Sequence, residues 1–146
     1  MGLSSGVARV ISAVLLIGMG LCVTIAADGK IRDPSGTLLL SIDGKTWRTT
    51  QGALLVTVEG SGHIRDRNGR TVLTLSRKGE VRDHQGRLMG QIDPSGNVRL
   101  VNGRLVGQIN KDGFVRDANS RLIGRGDAVN AQWLGLYFFF LNPRML

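Results

Sequence analysis

The sequence predicts an all-β fold in which short antiparallel β-hairpins repeat around an axis. A short aromatic-rich helix follows them, and an N-terminal hydrophobic signal or anchor helix precedes them. Three observations predict this fold: a unit of 16 to 17 residues recurs along the chain, turn-forming residues recur at fixed places in that unit, and 21 of the 146 residues are glycine. Glycine adopts the positive φ angles that tight turns need, so its abundance favours many turns over long helices.

The repeat becomes clear when each unit is aligned on a central turn residue. The six central residues are Gly36, Gly52, Gly69, Gly86, Gly103 and Ser120. The residue four positions earlier is always arginine: Arg32, Arg48, Arg65, Arg82, Arg99 and Arg116. The residue before that arginine is always apolar. Agreement in all six units at two adjacent positions indicates six copies of one structural unit.

Each unit carries two kinds of turn. The inner turn lies within the unit, as in "DPSG" at 33–36 and "DRNG" at 66–69, and the outer turn joins two units, as in "NKDG" at 110–113. Asp or Asn followed by Gly three residues later is typical of tight turns. The segments between turns are four to six residues long and rich in Val, Ile, Leu and Thr, which predicts about twelve short strands, two per unit.

The alternation of apolar residues predicts two-residue inner turns. The second, fourth and sixth residues after the central residue are mostly apolar, and a two-residue loop puts them on the same face as the apolar residue before the arginine. The third residue is also apolar, as in Leu39 and Val72. On this pairing it lies on the arginine face, so we expect that face to be partly packed and arginine stems to cover it.

The C-terminal stretch "DAVNAQWLGLYFFFLNPRML" predicts a helix that Asp127 caps, that begins at Ala128 and that Asn142–Pro143 ends. Its aromatic run needs burial on every side. Units 4 to 6 carry Gly90, Gly107 and Gly124 where units 1 to 3 carry larger apolar residues. We therefore expect these glycines to make room for a core plug formed by Trp133, Tyr137, Phe138, Phe139 and Phe140. The alternative is a C-terminal helix that contacts a membrane.

The unit, in the form G-x-[IV]-R-D-x-x-G-R-x-x-G-x-I, together with the "YFFF" tail, resembles the four-fold and five-fold β-flower families over residues 28 to 141. The resemblance implies a bacterial secreted or envelope protein without an assigned activity. The six units counted here differ from the four or five that those families imply. A weaker resemblance, carried by "RDxxGRL", is to the YD repeats of large toxin shells.

The first 27 residues predict a targeting segment. Arg9 is followed by an almost wholly apolar run, Val10 to Ala27, which ends in small residues suited to cleavage near Ala26 or Ala27. Because the run is just long enough to span a bilayer, an uncleaved anchor through residues 10–27 is the alternative. The expected divisions are 1–27 signal peptide or anchor, 28–126 six-hairpin domain and 127–146 C-terminal helix and tail. We expect an exported protein, periplasmic or secreted, or membrane-anchored.

The repeat arginines are the candidate ligand-binding residues. The chain has a net charge of +8, and six arginines at one repeat position would ring one surface. Guanidinium groups bind phosphate and carboxylate, so the expected partners are acidic polysaccharide, an anionic membrane surface or another envelope protein. The structural alternative is that each arginine pairs with an aspartate of the neighbouring hairpin and covers apolar surface. Nucleic acid is disfavoured because the repeats contain few aromatic residues to stack on bases.

The sequence predicts no catalytic site, metal site or cofactor. His63 and His84 lie in different units, and the single cysteine, Cys22, lies in the leader. The aspartates that recur at the inner turns leave a hydrolase as an alternative. An aspartate that recurs at a turn is more simply a turn former. The sequence thus favours an exported, non-catalytic structural or interaction module of the cell envelope.

Overall fold

The computed structural model describes residues 28–141, and within them twelve antiparallel strands form a closed barrel. The strands are β1 (Asp28–Arg32), β2 (Leu38–Asp43), β3 (Thr46–Thr49), β4 (Leu54–Val58), β5 (His63–Asp66), β6 (Thr71–Leu75), β7 (Glu80–Asp83), β8 (Leu88–Ile92), β9 (Asn97–Leu100), β10 (Leu105–Ile109), β11 (Phe114–Asp117) and β12 (Leu122–Asp127). Residues 1–27, which the sequence predicts to be a signal peptide or anchor, lie outside this range.

Each strand pairs with the next strand in the chain, and β12 pairs with β1 to close the barrel. The closing register places Lys30 opposite Asp127 and Arg32 opposite Arg125. The six predicted hairpins and their two strands per unit are therefore confirmed for residues 28–141. Closure leaves no sheet edge exposed to pair with another chain.

The inner turns have three-residue loops, so the prediction of two-residue turns is wrong. In the first unit the Asp33 N–H donates to the Thr37 carbonyl at 2.9 Å, and the Gly36 N–H donates to the Asp33 carbonyl at 3.0 Å. Gly36 has a φ of 91°, which fits a type I turn followed by a glycine bulge. The same bonds recur at all six inner turns of the described residues, and Ser120 adopts the positive φ in the sixth.

A β-bulge in every hairpin compensates for the three-residue loop. Ile31 pairs with Leu40 but Arg32 pairs with Leu38, so Leu39 has no partner residue on β1. Equivalent register shifts occur in the other five hairpins of the described barrel. The loop and the bulge each change the pairing by one residue, and together they return Ile31 and Leu40 to the same face.

The third residue after each central residue is the unpaired residue of the bulge. Leu39, Val72, Met89, Val106 and Ile123 are partly buried and pack against the barrel core. Leu55, the equivalent residue of the second unit, is 38% exposed. The second residue after the central residue, such as Leu38, is the one that lies opposite the arginine.

The barrel lumen is filled with apolar side chains. The residue before each repeat arginine is completely buried: Ile31, Trp47, Ile64, Val81, Val98 and Val115. No polar or charged residue is buried anywhere in the described range. The invariant apolar position of the repeat therefore forms a ring inside the barrel.

The C-terminal element begins later than the sequence predicts. After β12 come helix α1 (Ala131–Leu136) and one π-helical turn (Tyr137–Leu141), and the Asn130 side chain caps α1 by accepting the Trp133 N–H at 2.8 Å. Asp127 is not the cap because it pairs with Lys30 in the strand that closes the barrel. The predicted end at Asn142–Pro143 lies beyond the described residues. Within 28–141, no helix has the length and hydropathy of a membrane span.

Candidate functional site: the filled lumen and the arginine end

The C-terminal aromatic residues lie inside the barrel against the glycines of units 4 to 6. Phe138, Phe139 and Phe140 are 2 to 5% exposed. A Cβ atom at Gly124 would overlap the Phe138 ring, and one at Gly107 would overlap the Phe139 ring. In the same way, a Cβ at Gly90 would lie 2.8 Å from the Phe140 ring. Each glycine thus leaves the space that one phenyl ring occupies.

The other two residues of the predicted plug lie at the side of this cluster. Tyr137 is half-buried and makes an edge-on contact with Phe138, with ring centroids 5.0 Å apart. Trp133 is half-buried and packs at 5.5 Å against Trp47, which is completely buried. The lumen is therefore occupied by side chains of the barrel wall and of its own C-terminal element.

The six repeat arginines make one shared contact that neither sequence-based alternative included. In each unit the Nη1 atom donates to the backbone carbonyl of the central turn residue, at 3.0 to 3.2 Å. Each arginine directly precedes the turn and lies opposite the second residue after the central turn residue, as Arg32 lies opposite Leu38. Its guanidinium group therefore reaches over the turn. Sequence reasoning could have found this contact from the constant four-residue spacing between the arginine and the central residue.

Only some of these arginines have an acidic partner. Arg32 pairs with Asp127 of the neighbouring hairpin at 2.9 Å, as the structural alternative expected. Arg65 pairs with Glu59, and Arg82 pairs with Glu80. The other three, Arg48, Arg99 and Arg116, have no acidic partner within residues 28–141 and are exposed. Their remaining N–H groups face solvent and could donate hydrogen bonds to an anion.

The turn aspartates hold the turns in shape. In four inner turns the Oδ1 atom accepts two backbone N–H groups at 2.9 to 3.0 Å: the aspartates are Asp33, Asp66, Asp83 and Asp117. The Ser35 hydroxyl group, with the turn N–H groups, lowers the pKa of Asp33. For Asp83, desolvation raises the pKa, but the N–H groups of Arg87 and Gln85 and the Arg87 guanidinium outweigh it and lower the pKa overall.

Charge is segregated between the two ends of the barrel. We define the inner-turn end as the residues from four before to one after each central turn residue. Between residues 28 and 141 this end carries four aspartates and eleven arginines: Arg32, Arg48, Arg65, Arg67, Arg70, Arg82, Arg87, Arg99, Arg104, Arg116 and Arg121. The rest of that range carries six cationic and seven acidic residues. All of the excess positive charge of this range therefore lies at the inner-turn end.

The exposed apolar side chains lie at this end or directly beside it. The large apolar residues that the described barrel exposes are Leu55 at 38%, Leu88 at 37% and Val101 at 64%, and each lies within three positions of a central turn glycine. The sequence contained a signal for Val101. It occupies a loop position where the other units carry Pro, Thr, Arg, His or Ala.

The outer-turn end holds the remaining candidates. A cleft of about 320 Å³ lies there between two outer turns and α1, and Pro94, Lys111, Asn130 and Leu134 are among its lining residues. No group of three or more His, Cys, Asp or Glu in the described part of the chain could hold a metal ion. The cleft thus brings one cationic side chain together with mainly small polar and apolar groups, and nothing in it points to a particular ligand.

Comparison with known proteins agrees with this architecture. A family profile described as "5-fold beta-flower protein" matches residues 29–142. No curated protein and no solved structure matched the chain significantly. The family description counts five, whereas the barrel described here closes with six hairpins. The match spans most of the chain, and the chain belongs to the 5-fold β-flower family.

Proposed function

We propose that this chain is an exported structural or interaction module of the cell envelope that acts without catalysis, through its outer surface. The observation that carries the proposal is the filled lumen. Within residues 28–141 the buried side chains are apolar, among them the three phenylalanines of the chain's own C-terminal element. Such a barrel offers partners its outer wall and its two ends. Membership of the β-flower family fits a structural module.

The export part of the proposal rests on the apolar run that precedes the barrel. It is tested by fractionating cells that express the full chain and measuring the intact mass of the protein found. We expect a mass that lacks the first 26 or 27 residues, in a soluble envelope or secreted fraction. A full-length mass in the membrane pellet would support the anchor alternative. A full-length mass in the cytoplasmic fraction would contradict export.

A second candidate function is the binding of polyanions by the repeat arginines. The observation that favours it is the absence of acidic partners for Arg48, Arg99 and Arg116 in the described range. The test is salt-dependent binding of the full chain to heparin, with Arg99→Gln and Arg116→Gln together as the variant. Substitution of Arg77 and Lys78 by Gln at an outer turn removes the same charge as a control. Equal loss of heparin binding in the two variants would argue against a specific role for the repeat arginines.

No contact within residues 28–141 favours the hydrolase alternative. The recurring aspartates belong to separate inner turns, and each carboxylate accepts N–H groups of its own turn. These bonds give the aspartates a structural role at every position where they recur. A substrate screen remains the direct test of that alternative.

A further inference from the structure

We propose that the inner-turn end of the barrel docks end-on onto an anionic lipid bilayer. The proposal rests on the proposed function and names the partner of the interaction module. It uses two properties of this end that occur together: the excess of arginine and the exposed apolar side chains.

The charge of the inner-turn end suits an anionic membrane surface. Eleven arginines against four aspartates lie within a few residues of the six inner turns, while the outer-turn region is close to neutral. Each basic residue close to an anionic bilayer strengthens binding about 5-fold, and the attraction fades within a Debye length. The barrel should therefore approach the membrane with its inner-turn end first, rather than with its outer-turn end or its side.

The apolar side chains favour a bilayer over a soluble polyanion. Val101 is 64% exposed at the tip of the fifth inner turn, and Leu88 is 37% exposed just after the fourth. An acidic polysaccharide offers these side chains little apolar surface, whereas the boundary between head groups and acyl chains does. Arginine stems lie along apolar surface while their charged groups contact lipid phosphates, so the two kinds of side chain act together.

The chain enters the barrel at the opposite end. Asp28 begins β1 opposite Asp43, which directly precedes the outer turn between β2 and β3. An anchor through residues 10–27 would hold the outer-turn end towards its membrane. Docking through the inner turns is consequently distinguishable, by orientation, from attachment through the N-terminal segment.

The test places an environment-sensitive fluorophore at one end of the full chain. Cys22→Ser removes the single native cysteine, and Val101→Cys provides a labelling site at an inner turn. Ser61→Cys, also exposed, provides the matched site at an outer turn. With vesicles of phosphatidylcholine containing about one-third phosphatidylglycerol, we expect a blue shift of the label at 101 and none at 61. A shift at 61 without a shift at 101 would overturn the proposal.

Charge-matched variants then test the arginines. Four exposed arginines that follow the inner turns are replaced by glutamine in the labelled chain: Arg70, Arg87, Arg104 and Arg121. The control removes four exposed cations of the outer turns: Lys45, Arg77, Lys78 and Lys111. The vesicle concentration for half-maximal shift at 101 should rise at least about 100-fold in the first variant and less than about 5-fold in the control. Equal effects of the two variants would overturn the proposal.

The remaining outcomes are separable from the proposed function. A shift at 101 with heparin but none with anionic vesicles would assign this end to polysaccharide and overturn docking on a bilayer. An equal shift with vesicles of phosphatidylcholine alone would overturn the role of charge. Vesicle docking by a chain that fractionates in the cytoplasm would support the docking surface and contradict export.

Discussion

At the scale of single residues, the glycines of the inner and outer turns have different structural roles. Gly86 of an inner turn and Gly96 of an outer turn have similar φ angles, 83° and 90°. Nothing lies within 4 Å of a Cβ atom built on Gly86, whereas one built on Gly96 would overlap the carbonyl group of Ile109. The Ile109 N–H also donates to the Gly96 carbonyl at 2.8 Å, so the two backbones cannot easily separate.

We therefore predict that Gly96→Ala destabilises the barrel more than Gly86→Ala. The backbone conformation should cost about 1 kcal/mol in both variants. The backbone overlap should bring the total cost in Gly96→Ala to about 3 kcal/mol or more. Urea unfolding of both variants at the same pH measures the difference. Equal costs would show that the outer turn tolerates a side chain and that only the φ angle matters.

A second prediction at this scale concerns acid. The pKa values of Asp33 and Asp83 lie below their ordinary value of 3.8 in the folded chain, so protons bind more weakly to the folded than to the unfolded state. Each carboxylate therefore contributes stability that is fully present above its unfolded pKa of about 3.8 and is lost as the pH falls through the lowered pKa. Asparagine retains an oxygen that accepts the turn N–H groups but does not titrate.

The variant with Asp33→Asn and Asp83→Asn should consequently lose less stability than the wild type between pH 6 and pH 3. The urea midpoint at each pH measures this dependence. Identical pH dependence of the two proteins would mean that these carboxylates do not stabilise the folded state through their charge.

At the scale of the elements, each hairpin combines a three-residue loop with a bulge. The sequence pattern could not separate this pair from a two-residue loop without a bulge, because both put Val98 and Gly107 on the lumen face. The extra apolar residue, Val106 in the fifth unit, is the sequence signal for the bulge, because strict alternation leaves no place for it. Alternation determines which residues face the core but not how many residues the turn contains.

The position of the bulge predicts the results of two single-residue deletions in the fifth hairpin. Deletion of Gln108, an exposed and paired residue, should turn Ile109, which is 3% exposed, towards solvent and cost about 2 kcal/mol or more. Deletion of the bulge residue Val106 instead leaves Gly107 opposite Val98 and keeps Ile109 on the lumen face.

The deletion of Val106 should therefore cost at least about 1 kcal/mol less than the deletion of Gln108. Thermal or urea unfolding of the two proteins provides the comparison, and both should also be assayed by circular dichroism. Equal costs of the two deletions would contradict the assignment of Val106 to a bulge.

The C-terminal element shows where sequence reasoning succeeded and where it stopped. The sequence connects the glycines at 90, 107 and 124 with the aromatic run, since missing side chains in one arc imply something else in that space, and the phenyl rings lie against these glycines. The helix start was predicted at Ala128, but Asn130 is the cap. Asp127 pairs with Lys30 where the barrel closes, so it belongs to β12 and does not cap the helix. Local capping preferences contain no information about such a long-range pairing.

At the scale of the whole molecule, the barrel is a scaffold that its own chain fills. The repeat arginines stand out in the sequence by their constant spacing, yet the accumulation of charge at one end of the barrel depends on all inner turns meeting there. The inner turns come together because the barrel closes. The repeat alone predicts only that the hairpins are arranged around an axis. The outer surface, rather than the lumen, is consequently where a partner would bind.

A double-mutant cycle between Gly107 and Phe139 tests whether the C-terminal aromatic residues fill the lumen. Gly107→Val restores the residue type that Val56 provides in the second unit and should cost about 3 kcal/mol, because its Cβ overlaps the Phe139 ring and lies 2.7 Å from the Arg116 carbonyl oxygen. Phe139→Ala should cost about 3 to 5 kcal/mol because the ring is buried. The double variant should cost at least about 1.5 kcal/mol less than the sum, since valine then occupies vacated space.

The mismatched pair, Gly107→Val with Phe138→Ala, provides the control, because the Phe138 ring lies against Gly124 instead. We predict near-additive costs for this pair and strong coupling for Gly107 with Phe139, measured by urea unfolding of all variants. Additive costs in both pairs would contradict the account, because they would mean that the aromatic residues do not occupy the lumen beside these glycines.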